Sequence, residues 1–387
     1  MNILFLLRSL DSGGLEIVTS VLANKFTKEG HHVCVFAFER RSGMLVNRLD
    51  KNVKVIVAGK YSVTDENVSL LRQQLITNEI QIVINQWGLP LIPIKTLRKA
   101  KKGLDIKIIS VYHNDPLKNG RIHDVKIEIR RSRNIFKKTS LYVKMFLFRC
   151  VTGYSMRYNY NHSDLYVVLS SSYVNHFRKF TKISDAPKLI VIGNPLTIDN
   201  DDFEYYSKEK QCEIIYIGRL DSTQKRTDRL IEVWKSLENI HPEWRLTIVG
   251  DGDEKDYLES LLCKMGLKNV KIEGFQYPRP YYERASILLL TSDFEGFPLV
   301  LTECMSFGVV PVVYGSFSAV YGIIDNEKDG VIIPQTSFGF NAALMAESLR
   351  TLMVDKPLLD KMAQHAIEKS KHFSIDIIYQ EWMNIIQ

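Results

Sequence analysis

Little in this chain suggests a disulfide scaffold, a metal centre or a membrane span. Its 387 residues include five cysteines, Cys34, Cys150, Cys212, Cys263 and Cys304, an odd number without a Cys-x-x-Cys pair or metal-ligand spacing. Four of them fall within apolar patterns, so the thiols are expected to be reduced and structural. The longest N-terminal apolar run, residues 3–7, stops at Arg8 and Asp11. It is far too short to span a bilayer and lacks a signal-peptide cleavage pattern, so the chain is expected to stay in the cytoplasm. Zinc-finger spacing, an RNP-type strand and a recognition helix are also missing, which argues against nucleic acid.

What is present is ordinary globular composition with an uneven charge. Apolar residues make up 45% and charged residues 25%, and the length suggests two domains. Residues 1–200 carry 31 Lys and Arg against 15 Asp and Glu, a net of +16; the remainder carries 20 against 29, a net of −9. Such asymmetry marks a basic half that meets nucleic acid, a membrane surface or an acidic substrate.

The first half alternates short strands and helices. Residues 3–7 form a strand, Gly13-Gly14 a turn, and residues 15–26 a helix with Ile17, Val18, Val21, Leu22 and Phe26 at helical spacing; strands follow near 33–38, 53–57, 82–84 and 106–111. This pattern predicts a doubly wound parallel sheet, closed by strands at 165–169 and 189–192 around a helix capped by Ser171 or Ser172. Ser12-Gly13-Gly14 matches no dinucleotide fingerprint, and tight-turn geometry explains it when taken alone. His113 ends a strand at the carboxyl edge where open α/β sheets bind ligands, as either a hydrogen-bonded loop residue or a catalytic one.

Ten basic residues lie between Arg121 and Arg157 against Asp124 and Glu128, interleaved with Leu141, Val143, Met145, Phe146, Leu147, Phe148 and Val151. A solvated face over a buried helix would look like this. So would a segment lying on an anionic bilayer, and the basic excess across the whole half favours that reading.

Gly193-Asn194-Pro195 breaks the pattern, and the acidic segment 197–211 reads as a linker. A second α/β unit then begins with a strand at 213–217. Gly218 ends that strand and is followed by Arg219, Lys225 and a helix over 227–237, which suits a diphosphate held by a forked guanidinium and a point charge. Further strands at 245–249, 270–272, 287–290 and 309–313 bring Gly250-Asp251-Gly252, Gly274-Phe275 and the 291–298 loop to the same edge, so four strand ends are expected to converge on one crevice. After strand 287–290 come Glu295-Gly296-Phe297-Pro298 and a helix starting at Pro298 that carries Glu303, a strand-loop-helix anion site. Glu295 and Glu303 should stand roughly 12 Å apart at 1.5 Å rise per residue. That is too far for a glycosidase acid/base pair, at roughly 5 to 9.5 Å, and suits two ends of one long ligand. The last stretch, 374–387, has helical periodicity and is expected to pack back across the first domain.

The succession Gly218-Arg219-Leu220, Lys225, Val249-Gly250-Asp251-Gly252, Gly274-Phe275 and Glu295-Gly296-Phe297-Pro298 with Glu303 resembles the nucleotide-sugar domain of retaining family 4 glycosyltransferases. The first half resembles the same family more loosely, through Ser12-Gly13-Gly14-Leu15-Glu16 and Tyr112-His113-Asn114. The resemblance implies a GT-B fold: two doubly wound Rossmann-like α/β domains, 1–195 for the acceptor and 196–373 for the nucleotide sugar, facing each other across a crevice. It further implies that Arg219 and Lys225 hold the donor diphosphate, that Glu303 binds the ribose, and that Glu295 with the backbone of Gly296, Phe297, Pro298 and Leu299 holds the transferred sugar. Gly218, Gly250 and Phe275 would complete the donor site, with Gly13, Gly14 and His113 at the reacting centre from the acceptor side.

The implied reaction moves a hexose or N-acetylhexosamine from a UDP-sugar to a lipid-linked glycan of a cell-surface polysaccharide, with retention of configuration and no cofactor or metal, since two cations replace a divalent ion. Where many members carry a glycine pair and an acidic residue, residues 315–320 read Gly-Ser-Phe-Ser-Ala-Val, which leaves the sugar unassigned. Two other readings remain open: a nucleotide-sugar epimerase of the same architecture, and a non-catalytic binding module of this fold.

Overall fold

The computed structural model describes residues 1–387 except Ser12, Arg41, Asn119 and Phe338 and the side chain of Arg131. The chain divides into two compact units, residues 1–197 with 375–387, and residues 198–374.

The first unit is built on a seven-stranded parallel sheet of β1 (Asn2–Ser9), β2 (His32–Glu39), β3 (Lys54–Val57), β4 (Ile82–Asn85), β5 (Lys107–Tyr112), β6 (Leu165–Val168) and β7 (Leu189–Val191), in the order β3-β2-β1-β4-β5-β6-β7. Ile3, Leu4, Phe5, Leu6 and Leu7 are all fully buried, because helices cover both faces and a central parallel strand needs apolar residues at every position. On one face Leu4, Leu6, Phe36 and Phe38 pack with Leu71, Leu75, Ile94 and Leu97 of helices Asp65–Thr77 and Leu91–Ala100. On the other, Phe5 meets Phe26 of helix Gly14–Lys28, whose ring also meets Tyr379 of the C-terminal helix Ile375–Ile386. A 2.6 Å pair between Lys25 and Asp376 ties these two helices together. Ser171 stands at the start of helix Ser172–Thr181 without a side-chain cap; the hydroxyls of Ser170 and Ser172 bond each other instead.

The second unit holds a six-stranded parallel sheet of β8 (Glu213–Ile217), β9 (Arg245–Val249), β10 (Val270–Gly274), β11 (Ile287–Leu290), β12 (Val310–Tyr314) and β13 (Val331–Ile333), ordered β10-β9-β8-β11-β12-β13. Strand order reverses at β8 as it does at β1, and open α/β sheets bind ligands beyond the carboxyl ends of strands at such a switch point. Residues 198–211 belong to this unit instead of forming a free linker. Phe203 packs on Phe307, Tyr205 donates to Asp360, and the Lys210 ammonium donates to the carbonyl of Tyr282 at 2.7 Å. The acidic composition suggested a solvated strap, but its aromatic rings have apolar partners waiting.

One further expectation changes. Cys34 and Cys304 are buried, but Cys150, Cys212 and Cys263 are exposed free thiols, so packing accounts for only two of the five. No helix among the described residues is long and apolar enough to cross a membrane.

Gly250 shows why the turns at this sheet edge need glycine. Its φ is +150°, and a Cβ there would lie 1.8 Å from the carbonyl oxygen of Gly218. Gly266 is also left-handed, at φ +67°, but has open space around it. In urea unfolding, Gly250→Ala is expected to cost roughly 3 kcal/mol or more through backbone displacement, and Gly266→Ala only about 1 kcal/mol through conformational strain.

Candidate active site

The turn after β8 is organised by one carboxylate. Asp221 Oδ1 accepts the backbone N–H groups of Thr223, Gln224 and Lys225 at 3.1, 2.6 and 3.0 Å, which curls residues 221–225 into a tight loop. Burial works against this carboxylate's charge, but the N–H groups of Gln224 and Lys225 and the Arg219 guanidinium outweigh it and hold its pKa below the usual range. Arg219, largely exposed, donates from Nε to Asp221 at 2.9 Å and from Nη2 to Gln224 at 3.3 Å. Gly218 continues the strand into the turn, and a Cβ there would meet the Tyr216 hydroxyl at 3.0 Å. Gly250 passes close behind it.

The curled loop aims Lys225 and Gln224 at the loop that follows β11. Glu295, 6% exposed, accepts from Lys225 Nζ at 2.7 Å and from the Ser292 hydroxyl at 2.6 Å on Oε1, and from Gln224 Nε2 at 3.4 Å on Oε2. The backbone joins the same contact: Asp293 N–H donates to the Gln224 carbonyl, and Gln224 Nε2 donates to the Phe294 carbonyl. Behind it, Asp293 pairs with Arg229 at 2.7 Å and with Arg226 at 3.3 Å, fastening the start of helix Asp228–Trp234 to the β11 loop. Arg219, Lys225 and Glu295 therefore belong to one bonded network across the ends of two adjacent strands.

Glu303 stands one element further on. It is 7% exposed in helix Leu299–Ser306, and its Oε2 accepts from the buried Tyr282 hydroxyl at 2.9 Å. Pro298 is the residue before this helix, with φ −70° and ψ 110°, not its first helical position; Leu299 opens the helix. Gly296, Phe297 and Pro298 are buried, and Phe297 packs edge-on against Phe373 at 5.7 Å, so this segment offers backbone to a ligand more readily than side chains. Phe275 stands 76% exposed after β10, two strands from β8. Within residues 315–320, Ser316 is buried and donates to the Ser292 carbonyl, bracing the Glu295 loop from β12.

In the first unit, Ser12 lies outside the described residues, and neither Gly13 nor Gly14 uses the left-handed conformation. Gly13 is extended, at φ −113° and ψ 171°, and what it provides is room: a Cβ there would lie 2.5 Å from Glu16 Oε2. Burial raises the pKa of Glu16. His113 Nε2 donates to Gln86 Oε1 at 2.7 Å, so the ring carries its proton on Nε2, and burial pushes its pKa down to about 4. The imidazole is neutral at neutral pH.

Sequence reasoning missed Asp221, Gln224, Ser292, Asp293 and Tyr282 as working parts. The spacing of Asp221 to the next N–H groups is a turn-capping signal that was available; nothing local marks Tyr282, which meets Glu303 across 21 positions. The Asp251-Gly252-Asp253 spacing was also passed over. Asp251 closes its own turn by accepting from the Gly252 N–H at 2.8 Å, and no metal-holding group of three or more His, Cys, Asp or Glu gathers among the described residues.

Comparison with known proteins covers both units. The profile of Glycosyltransferase Family 4 matches residues 12–200 and that of Glycosyl transferases group 1 matches residues 197–369. A Campylobacter jejuni protein, GalNAc-alpha-(1->4)-GalNAc-alpha-(1->3)-diNAcBac-PP-undecaprenol alpha-1,4-N-acetyl-D-galactosaminyltransferase, is 24% identical over 100% of this chain and 98% of its own length. The amylovoran biosynthesis glycosyltransferase AmsD of Erwinia amylovora is 27% identical over 59% of this chain, which spans 63% of that protein. Anabaena HepE, solved with UDP-glucose, superposes with a TM-score of 0.74 at 17% identity, over 100% of this chain and 99% of that one. With two switch-point sheets, a bonded Arg219–Lys225–Glu295 network and matches that run the length of both units, the chain belongs to the family 4 glycosyltransferases of the GT-B type.

Proposed function

We propose that the chain moves a hexose or N-acetylhexosamine from a UDP-sugar to a lipid-linked glycan, retaining the anomeric configuration and using no divalent cation. The carrying observation is the Arg219–Gln224–Glu295–Lys225 network at the carboxyl ends of β8 and β11, which sets two cations beside a buried carboxylate at the switch point. HepE, which binds UDP and UDP-glucose, supports the donor assignment, and the polyprenol-linked substrate in the Campylobacter relative's name supports the acceptor.

In this reading the donor diphosphate competes with Glu295 for Lys225 and draws in Arg219, and the two cations stabilise the charge that grows on the departing nucleotide. Glu295, released from part of its pairing, accepts hydroxyls of the transferred sugar, while Glu303 accepts those of the ribose. The backbone of residues 296–299 lines the sugar, and Gly13, Gly14 and neutral His113 serve the acceptor side. Retention follows from front-face attack, since no carboxylate is assigned as covalent nucleophile.

The reading extends to an anionic membrane surface on the cytoplasmic leaflet. On helix Ile135–Asn161, Phe136, Val143, Leu147, Val151 and Tyr154 are all more than half exposed and fall within about 80° of one another at 3.6 residues per turn. Exposed Lys137 and Lys144 flank this stripe on one side and Arg157 on the other. The inner face packs on helix Gly120–Arg131 through Val125, Ile129 and Leu141, so the stripe has no role in that core. Apolar side chains at headgroup depth with flanking cations, each contributing about 1 kcal/mol, are the composition of an interfacial helix.

Transfer assays with UDP-sugars and lipid-linked acceptors test the donor site. Lys225→Ala and Glu303→Ala are expected to lower the rate roughly 100-fold or more while the chain stays folded by circular dichroism, with a lowered melting temperature for Lys225→Ala because Glu295 is left buried without its cation; near-normal transfer by either variant would remove its assigned role. Chelation with EDTA should leave the rate unchanged, and loss of transfer restored by a divalent ion would overturn metal independence.

Titration of the His113 ring proton by NMR checks the acceptor side. Because its folded pKa is depressed, the unfolded chain takes up a proton first as pH falls below about 6.5, so stability falls between there and about 4 and is fully present above. The His113 signal should not move until below pH 5, and an inflection near 6.5 would contradict a buried neutral ring. For the surface, Phe136→Ser with Leu147→Ser should abolish sedimentation with phosphatidylglycerol vesicles without altering transfer to a short soluble acceptor; equal binding to neutral and anionic vesicles by the parent would end the membrane assignment.

A further inference from the structure

The carboxyl edge of the first sheet carries a cluster that the donor chemistry does not use. Taken in the order in which the strands lie side by side, β3, β2, β1, β4 and β5 present Tyr61, Glu39, Arg8, Trp87 and His113 at their ends or in the turns that follow. The Arg8 guanidinium lies 4.8 Å from the centre of the Tyr61 ring and 5.8 Å from that of Trp87. Its pair with Glu39 is long, 3.8 Å, outside hydrogen-bonding range. Beside it Gln86, 1% exposed, spends its amide oxygen on His113.

Arg8 Nε, Gln86 Nε2, Trp87 Nε1 and Tyr61 Oη are all withdrawn from solvent and have no hydrogen-bond partner among the described residues. An unsatisfied buried donor costs about 1–3 kcal/mol, so packing by itself gives no reason to gather four in one place. Three of them can only donate, and the fourth donates or accepts. Their complement is a group dense in acceptor oxygens that also presents an apolar face to aromatic rings, which describes a pyranose.

We propose that Arg8, Gln86, Trp87 and Tyr61 form the subsite for the terminal sugar of the acceptor glycan, with Arg8 as its specificity-determining residue. The proposal rests on the glycosyltransferase reading above and names the side chains that select its second substrate. Arg8 is the member a ligand reaches first, since a third of its side chain is exposed and Glu39 holds it only at long range. Gln86 links the subsite to His113 through one amide, so a sugar bound to its N–H group is placed next to the imidazole.

The test uses the full chain saturated with UDP and labelled with 15N at its four tryptophans, with the Trp87 indole signal identified from its loss in Trp87→Phe. Methyl α-glycosides of glucose, galactose, N-acetylglucosamine and N-acetylgalactosamine are titrated into the tens of millimolar. At least one is expected to shift the Trp87 indole proton downfield and to saturate. Arg8→Ala should weaken that binding by about tenfold or more, the loss of one good hydrogen bond, without changing UDP affinity by calorimetry. A purely structural cluster would leave the indole signal indifferent to sugar.

An unmoved Trp87 signal with all four glycosides while UDP binds overturns the subsite alone. An equal shift in Arg8→Ala overturns the role of Arg8. Failure of UDP itself to bind overturns the donor reading, and the subsite with it. Should Arg8→Ala not fold, Tyr61→Phe carries the same comparison.

Discussion

A carboxylate removed from water must be paired, and Glu295 shows how much structure that requirement recruits. At 6% exposure it holds Lys225, Ser292 and Gln224. Gln224 and Lys225 reach it only because Asp221 has curled the chain between them and β8. Ser292 is braced in turn by Ser316, and Asp293 beside it by Arg226 and Arg229. An unpaired buried charge would cost several kcal/mol, so removing any one contact stresses the others. The result is a preorganised arrangement of cation and carboxylate, the condition under which fixed charges stabilise a developing charge without rearranging.

The sheet edge of the first unit leaves donors at Arg8, Gln86 and Trp87 without partners among the described residues, and its long helix leaves an apolar stripe exposed. Both conditions are costly for an isolated domain.

Glycines in the motifs answer two different demands. Gly250 needs both a left-handed backbone and absence of a side chain, because the Gly218 carbonyl would touch any Cβ. Gly13 is extended, and a side chain there would only have to displace the end of Glu16, which folds back over it. A glycine in a motif therefore reports a conformational or a steric demand, and only coordinates separate the two.

Period-two and period-3.6 patterns made the alternating strands and helices legible, and apolar runs such as residues 3–7 and 287–290 marked the buried parallel strands. Strand-end residues Arg219, Lys225 and Glu295 were legible because parallel strands place their carboxyl ends on one edge whatever their order. The order itself was not, since pairing β8 with both β9 and β11 joins segments that share no local signal. Nor was the docking of residues 198–211, whose polar composition concealed aromatic contacts to the second unit, nor the Tyr282–Glu303 bond across two elements. Composition and periodicity, being local, determined the elements and the ends at which chemistry gathers. Which side chains close on one another is decided by long-range packing, where burying one polar group compels another, distant in the chain, to meet it.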